Sequence, residues 1–332
     1  MEDIQSQFVK NMLSGVGMNP KEQGTAFAPA NIALCKYWGK RNASLNLPVN
    51  SSISVSLGNR GTRTTITPRD GADRIRLNGS ELVPESGFAS RVSAFLDLFR
   101  PMLDDSGFDV RTENNIPTAA GLASSASGFA ALVLALDDLA GWALDRRRLS
   151  MLARLGSGSA ARSVHEGFVQ WHAGSLDDGT DSFAERINHD WPALCVGILE
   201  LTSAPKPIGS RDGMNHTVET SELYRQWPVQ AAADLVSIHA AIVERDFRLL
   251  GRTAERNALA MHATMLAAWP PLLYLQPESI EQIHRVQRVR AEALEIYLTI
   301  DAGPNIKLLF LEENEAAVRA AFPGVGVVRP FL

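Results

Sequence analysis

Periodicity divides this chain into two unlike parts, and that division limits its fold more than any other feature. Between Ala26 and Pro68 the pattern is mostly that of strands, with Ile53, Val55 and Leu57 alternating with serines. From about Gly209 to position 293 it is almost entirely helical, broken at Pro228 and at Pro270-Pro271. The early strands arrive without alternating helices, which argues against a doubly wound parallel sheet and for an α+β architecture. At 332 residues the chain exceeds what one hydrophobic core usually fills, so two domains sharing an interface are expected.

Local signals place the elements between these parts. Gly58-Asn59-Arg60-Gly61 reads as a turn into a second strand, Thr62–Thr67. Asn78-Gly79, between Arg74–Leu77 and Leu82-Val83, is a hairpin signal because both residues tolerate positive φ. Phe88, Val92, Phe95 and Phe99 recur at helical spacing and predict a helix ending before Pro101. Further strands fit Phe108–Thr112 and Ala193–Leu201, and helices fit Phe129–Leu139 and Arg146–Leu155, the latter stopped by Gly156. The last part reads as strands Glu295–Ile300 and Asn305–Leu311, helix Glu313–Ala321 and strand Val325–Val328. Residues 1–24 read as a polar extension or a first helix.

Charge and composition exclude several functions. With 32 Lys+Arg against 37 Asp+Glu the net charge is −5, which disfavours nucleic-acid binding because neutralising many phosphates needs a basic excess. A small anionic substrate remains compatible, since a few placed cations hold it whatever the total. Cys35 and Cys195 show no CxxC or Cys/His spacing, so neither a disulfide framework nor a zinc site is expected, and a cytoplasmic location fits. The first twenty residues lack an apolar signal core, and the longest apolar run, Phe129–Leu136, is far short of the about 20 residues that span a bilayer. No membrane association is expected.

The segment from Asn114 to Gly128 carries the most chemistry per residue. It follows a strand, enters an apolar helix, and is built almost wholly of small side chains. Small residues let a polyphosphate approach main-chain N–H groups at a helix start, where the dipole adds positive charge. The same composition also fits a tightly packed helix N-terminus capped by its own serines. A Walker A loop is excluded because the Gly-Lys-Ser/Thr ending is absent.

Asn114-Asn115-Ile116-Pro117-Thr118-Ala119-Ala120-Gly121-Leu122-Ala123-Ser124-Ser125 resembles the ATP loop of the GHMP kinases, and specifically that of the diphosphomevalonate decarboxylase family. Three further stretches are similar to that family. Ala28 to Arg41 places Lys36, Lys40 and Arg41 around Tyr37-Trp38, and Leu45-Asn46-Leu47-Pro48 and Asn50 to Ser54 follow it. Gly156-Ser157-Gly158-Ser159-Ala160-Ala161-Arg162-Ser163 offers small residues beside a planar cationic fork. Asp301-Ala302-Gly303-Pro304-Asn305 lies just after a strand, and Ser210 to Met214, with Lys206 upstream, resembles a helix start in the second domain. By themselves these stretches equally fit a solvated basic turn, a helix end with a surface arginine, and an ordinary Asp-Gly-Pro turn. Their order in one chain separates the two readings.

The resemblance implies a GHMP kinase fold, with an N-terminal lobe of the ribosomal protein S5 domain 2 type and a C-terminal ferredoxin-like α/β sandwich. It implies domains at 25–190 and 191–332 after a 1–24 extension. It implies ATP-dependent decarboxylation of 5-diphosphomevalonate to isopentenyl diphosphate through 3-phosphorylation. Asp301, Lys36 and Arg162 then correspond to catalytic positions, with Arg162 also on the substrate carboxylate. Tyr37, Lys40, Ser157 and Ser159 correspond to substrate-binding positions, and Arg41 is assigned to the same cleft. Asn114, Pro117, Ala120, Gly121, Leu122, Ala123, Ser124 and Ser125 correspond to ATP-binding positions. ATP is the implied co-substrate and Mg²⁺ the implied metal, with Ser125 assigned as its ligand. A homodimer is implied, since family members are commonly dimeric. Rival readings are a mevalonate 3-kinase or a decarboxylase of the 5-monophosphate or a bisphosphate, and, in another class, a non-catalytic GHMP-fold metabolite sensor.

Overall fold

The computed structural model describes residues 4–103, 106–116, 124–202 and 208–332. In chain order the first part comprises α1 (Ile4–Leu13), β1 (Gly24–Cys35), β2 (Lys40–Asn42), β3 (Leu47–Pro48), β4 (Ser52–Arg69), β5 (Arg74–Leu77), β6 (Ser80–Glu81), α2 (Gly87–Asp97), β7 (Gly107–Asn114), α3 (Ser124–Ala140), α4 (Arg146–Gly156), α5 (Ala160–Ser163), β8 (Phe168–Trp171) and β9 (Ala184–Ile187). The second comprises β10 (Leu194–Leu199), α6 (Ser210–Thr220), α7 (Trp227–Glu244), α8 (Phe247–Leu266), α9 (Pro277–Ala291), β11 (Tyr297–Ile300), β12 (Ile306–Leu311), α10 (Glu315–Ala321) and β13 (Gly326–Val328).

The 18-residue β4 is the spine of the first sheet. Its first residues pair with β8 and its last with β7, while β1 runs antiparallel along it. The resulting seven-stranded order is β6-β5-β7-β4-β8-β9, with β1 attached to β4. Helix α3 lies across β1 and β4, and α2, α4 and α1 close a core around Phe95, Phe99, Phe129 and Leu152. The N-terminal residues thus form a helix whose Phe8, Val9 and Leu13 are buried in that core. Each such side chain contributes about 1.5–3 kcal/mol.

The second sheet is antiparallel, in the order β11-β12-β10-β13. Helix α8 packs on β11 and also reaches β1. Ile32 and Leu34 of β1 and Ile53 and Val55 of β4 therefore share one buried cluster with Val196, Ile238, Leu250 and Leu309. This shared core holds the two sheets together and brings the end of β1 beside the β11–β12 connection.

One reading of the sequence is corrected. Gly58–Gly61 is not a turn between strands: β1 continues past it, pairing Asn31 with Ser56 and Pro29 with Gly61, so the extra residues of β4 bulge. Gly61 serves close approach instead, because a Cβ there would lie 2.1 Å from the Ala28 carbonyl oxygen. The helical stretch is broken at Pro228 as expected, since α6 ends at Thr220 and Pro228 lies in the first turn of α7, where the missing N–H is no loss. It is also broken where the sequence showed nothing, at Arg245 in the left-handed region (φ 55°), which caps α7 before Asp246 caps α8. The Asn78-Gly79 hairpin forms with both residues at positive φ, although its second strand is Ser80–Glu81. Strands β8 and β9 carry little periodic signal and have no counterpart in the sequence reading, whereas the short β2 and β3 fall within the Ala26–Pro68 strand region without being singled out.

Candidate active site

Asp301 follows the last residue of β11, and both its carboxylate oxygens are occupied by lysines. Lys36, just beyond β1, lies 2.7 Å from Oδ1, and Lys307, on β12, lies 3.1 Å from Oδ2. The lysine side chains are 2 % and 1 % exposed, whereas that of Asp301 keeps 25 %, so the carboxylate is the face of this group open to a ligand. Burial pushes the Asp301 carboxyl upward, but the two ammonium groups outweigh it and hold it well below the usual carboxylate range. Burial lowers the Lys36 ammonium, opposed by its contact with Asp301. His262 of α8 donates from Nε2 to the Asp301 main-chain oxygen (3.1 Å), and burial followed by the Lys36 charge holds its imidazole down at about 4, hence neutral.

The segment carrying Lys36 is fixed from both lobes. The Lys36 N–H donates to Asn257 Oδ1 (2.7 Å), and Asn50 Nδ2 donates to the Lys36 carbonyl (2.8 Å). Asn257 is itself held by buried Asp234 (2.9 Å), whose other oxygen pairs with Arg256. The Trp38 carbonyl accepts from Tyr224 Oη (3.1 Å) and Trp227 Nε1 (3.0 Å). Gly39 sits at φ 106°, and a Cβ there would fall 1.7 Å from Tyr224 Oη. Lys40 Nζ donates to Asn46 Oδ1 (2.6 Å), while Asn46 Nδ2 donates to the carbonyls of Arg154 and Leu155 at the end of α4, each at 2.9 Å. Burial and then Arg211 push the Lys40 ammonium down to about 8, with Asp212 opposing.

Arg162, in α5, is buried without a carboxylate partner among the described residues. Its Nη1 donates to Ser52 Oγ (2.5 Å) and its Nη2 and Nε reach Asn31 Oδ1 at 3.3 and 3.4 Å. Burial pushes the guanidinium down to about 10, so it stays charged at neutral pH. A cation this well buried and neutral-partnered is costly unless an anion joins it. Tyr37 stacks edge-on against Trp171 (4.8 Å), beside Gly158, where a Cβ would lie 2.9 Å from its ring. Its hydroxyl is buried with no hydrogen-bond partner among the described residues, an unmet donor in the same region. Ser157 Oγ lies 3.4 Å from both Ser125 Oγ and Ser159 Oγ, which ties the start of α3 to this loop.

Other expected residues fall elsewhere or outside the description. Arg41 donates to the carbonyls of Leu176 (2.9 Å) and Ala173 (3.4 Å) and faces Asp177, so its guanidinium is taken up by that loop rather than by the Lys36–Asp301 group. Asn114 ends β7 and accepts from the Ile116 N–H (3.2 Å), a local turn contact. Ser124 opens α3, and Pro117, Ala120, Gly121, Leu122, Ala123 and Lys206 lie outside the described residues. The sequence reading missed Lys307, His262 and Asn257, and it gave no role to Asn31 or Ser52, although both lie in stretches that resemble the family. Lys307 had a signal: a lysine amid Ile306, Leu308, Leu309 and Phe310 is anomalous in a buried strand.

Residues 28–184 match the diphosphomevalonate decarboxylase-like N-terminal domain, and residues 196–324 match the mevalonate 5-diphosphate decarboxylase C-terminal domain. The chain is 38 % identical to the diphosphomevalonate decarboxylase of Saccharomyces cerevisiae over 316 residues, covering 88 % of this chain and 79 % of that one. Over 327 residues it is 40 % identical to the Bos taurus diphosphomevalonate decarboxylase, covering 90 % and 80 %. The chain belongs to the diphosphomevalonate decarboxylase family.

Solved structures of decarboxylases of this family share its fold. The mevalonate diphosphate decarboxylase of Enterococcus faecalis superposes with a TM-score of 0.87 at 40 % identity, covering 95 % of this chain and 98 % of that one. MDDEF in complex with MVAPP, AMPPCP and magnesium gives a TM-score of 0.88 at 40 % identity over the same shares. The mevalonate diphosphate decarboxylase of Staphylococcus aureus gives 0.87 at 36 % identity, covering 93 % and 95 %. The expectation of a GHMP kinase fold is borne out, and so is the decarboxylase resemblance.

Proposed function

We propose that this chain converts (R)-5-diphosphomevalonate and ATP into isopentenyl diphosphate, ADP, phosphate and CO₂, a step of isoprenoid synthesis by the mevalonate route. The observation that carries the reading is the Lys36–Asp301–Lys307 group beside a buried Arg162 that has no carboxylate partner among the described residues, in a chain of this family.

A tertiary hydroxyl leaves poorly, so phosphorylation of the 3-hydroxyl comes first. The hydroxyl oxygen attacks the terminal phosphorus of ATP, the bond to ADP breaks, and the hydroxyl proton passes to the open Asp301 carboxylate. Lys36 neutralises charge on the transferring phosphoryl group. Departure of the 3-phosphate then leaves positive charge at the third carbon, which the electron pair of the breaking carbon–carboxylate bond quenches as CO₂ leaves. Arg162 supplies the planar fork that holds the carboxylate in line. Tyr37, Lys40, Ser157 and Ser159 bind the diphosphate, and Asn114 with the segment 117–125 binds ATP at the start of α3. The donors fit magnesium, since Ser125 offers a hydroxyl oxygen at that helix start and Mg²⁺ takes oxygen ligands, largely from phosphates and water. Bound there, the ion would supply charge neutralisation on the phosphates.

The division into 25–190 and 191–332 is supported by the separate sheets, with β9 ending one and β10 opening the other. A homodimer and a cytoplasmic location complete the proposal; no described helix is long and apolar enough to cross a membrane, and both cysteines are free, buried thiols. The test is a coupled ADP-release assay with product analysis on 5-diphosphomevalonate and 5-phosphomevalonate. Isopentenyl diphosphate from the diphosphate at much higher kcat/KM is the expected result. ADP release without CO₂, or preference for the monophosphate, would overturn it.

A further inference from the structure

The Asp301 carboxylate is held from two different lobes. Lys36 comes from the end of β1 in the first sheet, and its place depends on contacts across the interface through Asn257. Lys307 comes from β12, next to the β11 end that delivers Asp301, and pairs directly opposite Thr299. Strand β12 is bonded to β11 on one side and β10 on the other, so the backbone under Lys307 is fixed independently of the first lobe. Among the described residues the Lys307 ammonium has one further acceptor, the Asn305 carbonyl at 3.4 Å. Burying a lysine this completely carries a large desolvation cost that a close anion offsets. A lysine retained there for packing alone would be better replaced by an apolar residue.

One carboxylate with two cations also has more charge compensation than it needs at rest. The excess becomes necessary once one cation has a second task. In the function proposed above, on which this inference rests, Lys36 serves the transferring phosphoryl group. Drawn toward it, Lys36 would leave the partly exposed Asp301 carboxylate beside a polyphosphate with one cation fewer, and that carboxylate would take up a proton and lose its ability to accept one. We propose that Lys307 is a positioning residue that keeps the Asp301 carboxylate charged and oriented from within its own lobe, so that Lys36 is free to serve the phosphoryl group. The charged or titratable groups facing Asp301 are then Lys36 from β1, Lys307 from β12, Arg162 from α5 and His262 from α8. Lys307 is the one whose strand joins it directly to the carboxylate's own hairpin.

The test compares wild type with Lys307→Met and Lys307→Arg by two readouts. In steady-state assays, Lys307→Met lowers kcat about 100-fold, within the range of acid–base contributions. Its KM values move by no more than about threefold, and the acid limb of its kcat profile shifts to higher pH. Lys307→Arg restores most of the rate and the original limb. In carbon-13 NMR of aspartate-labelled protein, the Asp301 carboxyl is assigned by its loss in Asp301→Asn. It remains ionised through the mildly acidic range in wild type and titrates there in Lys307→Met. A Lys307→Met protein with the wild-type rate and acid limb overturns the inference. So does an unchanged carboxyl titration, or a loss of rate that follows melting temperature alone. If Lys307→Met does not fold, Lys307→Gln carries the same readouts. Wild-type turnover of the diphosphate tests the decarboxylase reading separately, and the carboxyl signal reads Lys307 whether or not that reading stands.

Discussion

Lys36 and Asp301 are 265 residues apart in the chain, and their side chains meet at 2.7 Å. One ends a strand of the first sheet and the other follows a strand of the second, so their contact exists only while the shared core holds the lobes together. Every reaction step assigned above depends on that registry.

Asp301→Ala is expected to abolish turnover, by about 10³-fold or more, while nucleotide still binds. Loss of the carboxylate leaves Lys36 and Lys307 buried without their partner, so a fall in stability accompanies it. ADP release and calorimetric titration with a non-hydrolysable nucleotide check the two halves. Near-normal product formation would remove Asp301 from the mechanism.

Arg162→Gln separates function from folding. The guanidinium is buried among neutral partners, Ser52 and Asn31, so replacing it by a shorter, neutral amide removes a buried charge along with those hydrogen bonds, and the melting temperature is expected to stay within a few degrees, about 1 kcal/mol. It is expected to lower kcat/KM about 100-fold or more, since a carboxylate would lose its bidentate partner. Normal KM and kcat in this variant would end the carboxylate-clamp assignment.

The alkaline limb should report Lys40. Its folded-state value is held down at about 8, so its charge is lost as pH rises through that value. The kcat/KM for the diphosphate is therefore expected to decline above about pH 8, with binding of the anion weakening first. Lys40→Arg, which stays protonated, moves the limb upward. A flat profile to pH 10 or so in wild type would exclude the role.

His262 gives a stability prediction of the opposite kind. Its folded value of about 4 lies below the ordinary 6.5, so the unfolded chain takes up the proton first as pH falls. Its contribution is fully present above about 6.5 and lost as pH drops toward 4, about 3 kcal/mol in all. Urea unfolding across that range should show a shallower dependence in His262→Gln.

Gly39→Ala tests the latch between the lobes. The new methyl would fall on Tyr224 Oη at 1.7 Å, with the backbone at φ 106°. A loss of about 2 kcal/mol or more is expected, together with a raised KM through displaced Lys40. Tyr224→Phe in the same chain removes the clashing oxygen and should recover part of the stability. No recovery would place the strain in the backbone alone.

Much of this was legible in the residues. Strongly local signals gave real elements: Asn78-Gly79 its hairpin, the Phe88–Phe99 repeat its helix, Gly156 the end of α4. Where a local signal misled, a long-range partner decided. Gly58–Gly61 has the composition of a turn but lies against a strand that continues, and β8 and β9 are strands because β8 pairs with β4 and β9 with β8, not because of their own pattern. The site divides the same way. Asp301, Lys36 and Arg162 stood out through motif resemblance, whereas Asn257, His262 and Asn31 are ordinary polar residues on helices and strands. Their importance lies in which backbone or guanidinium they meet.

By itself the sequence determined the α+β class through periodicity and the family through motif resemblance, because both are written over a few neighbouring positions. Only the tertiary structure decided that Asp301 carries two cations instead of one, that the hydrogen-bond partners of Arg162 among the described residues are neutral, and that Arg41 contacts the loop around Leu176. Those facts depend on side chains from different strands and helices meeting within hydrogen-bond reach. Electrostatic energies in a buried site vary steeply with such distances, and no spacing along the chain records them.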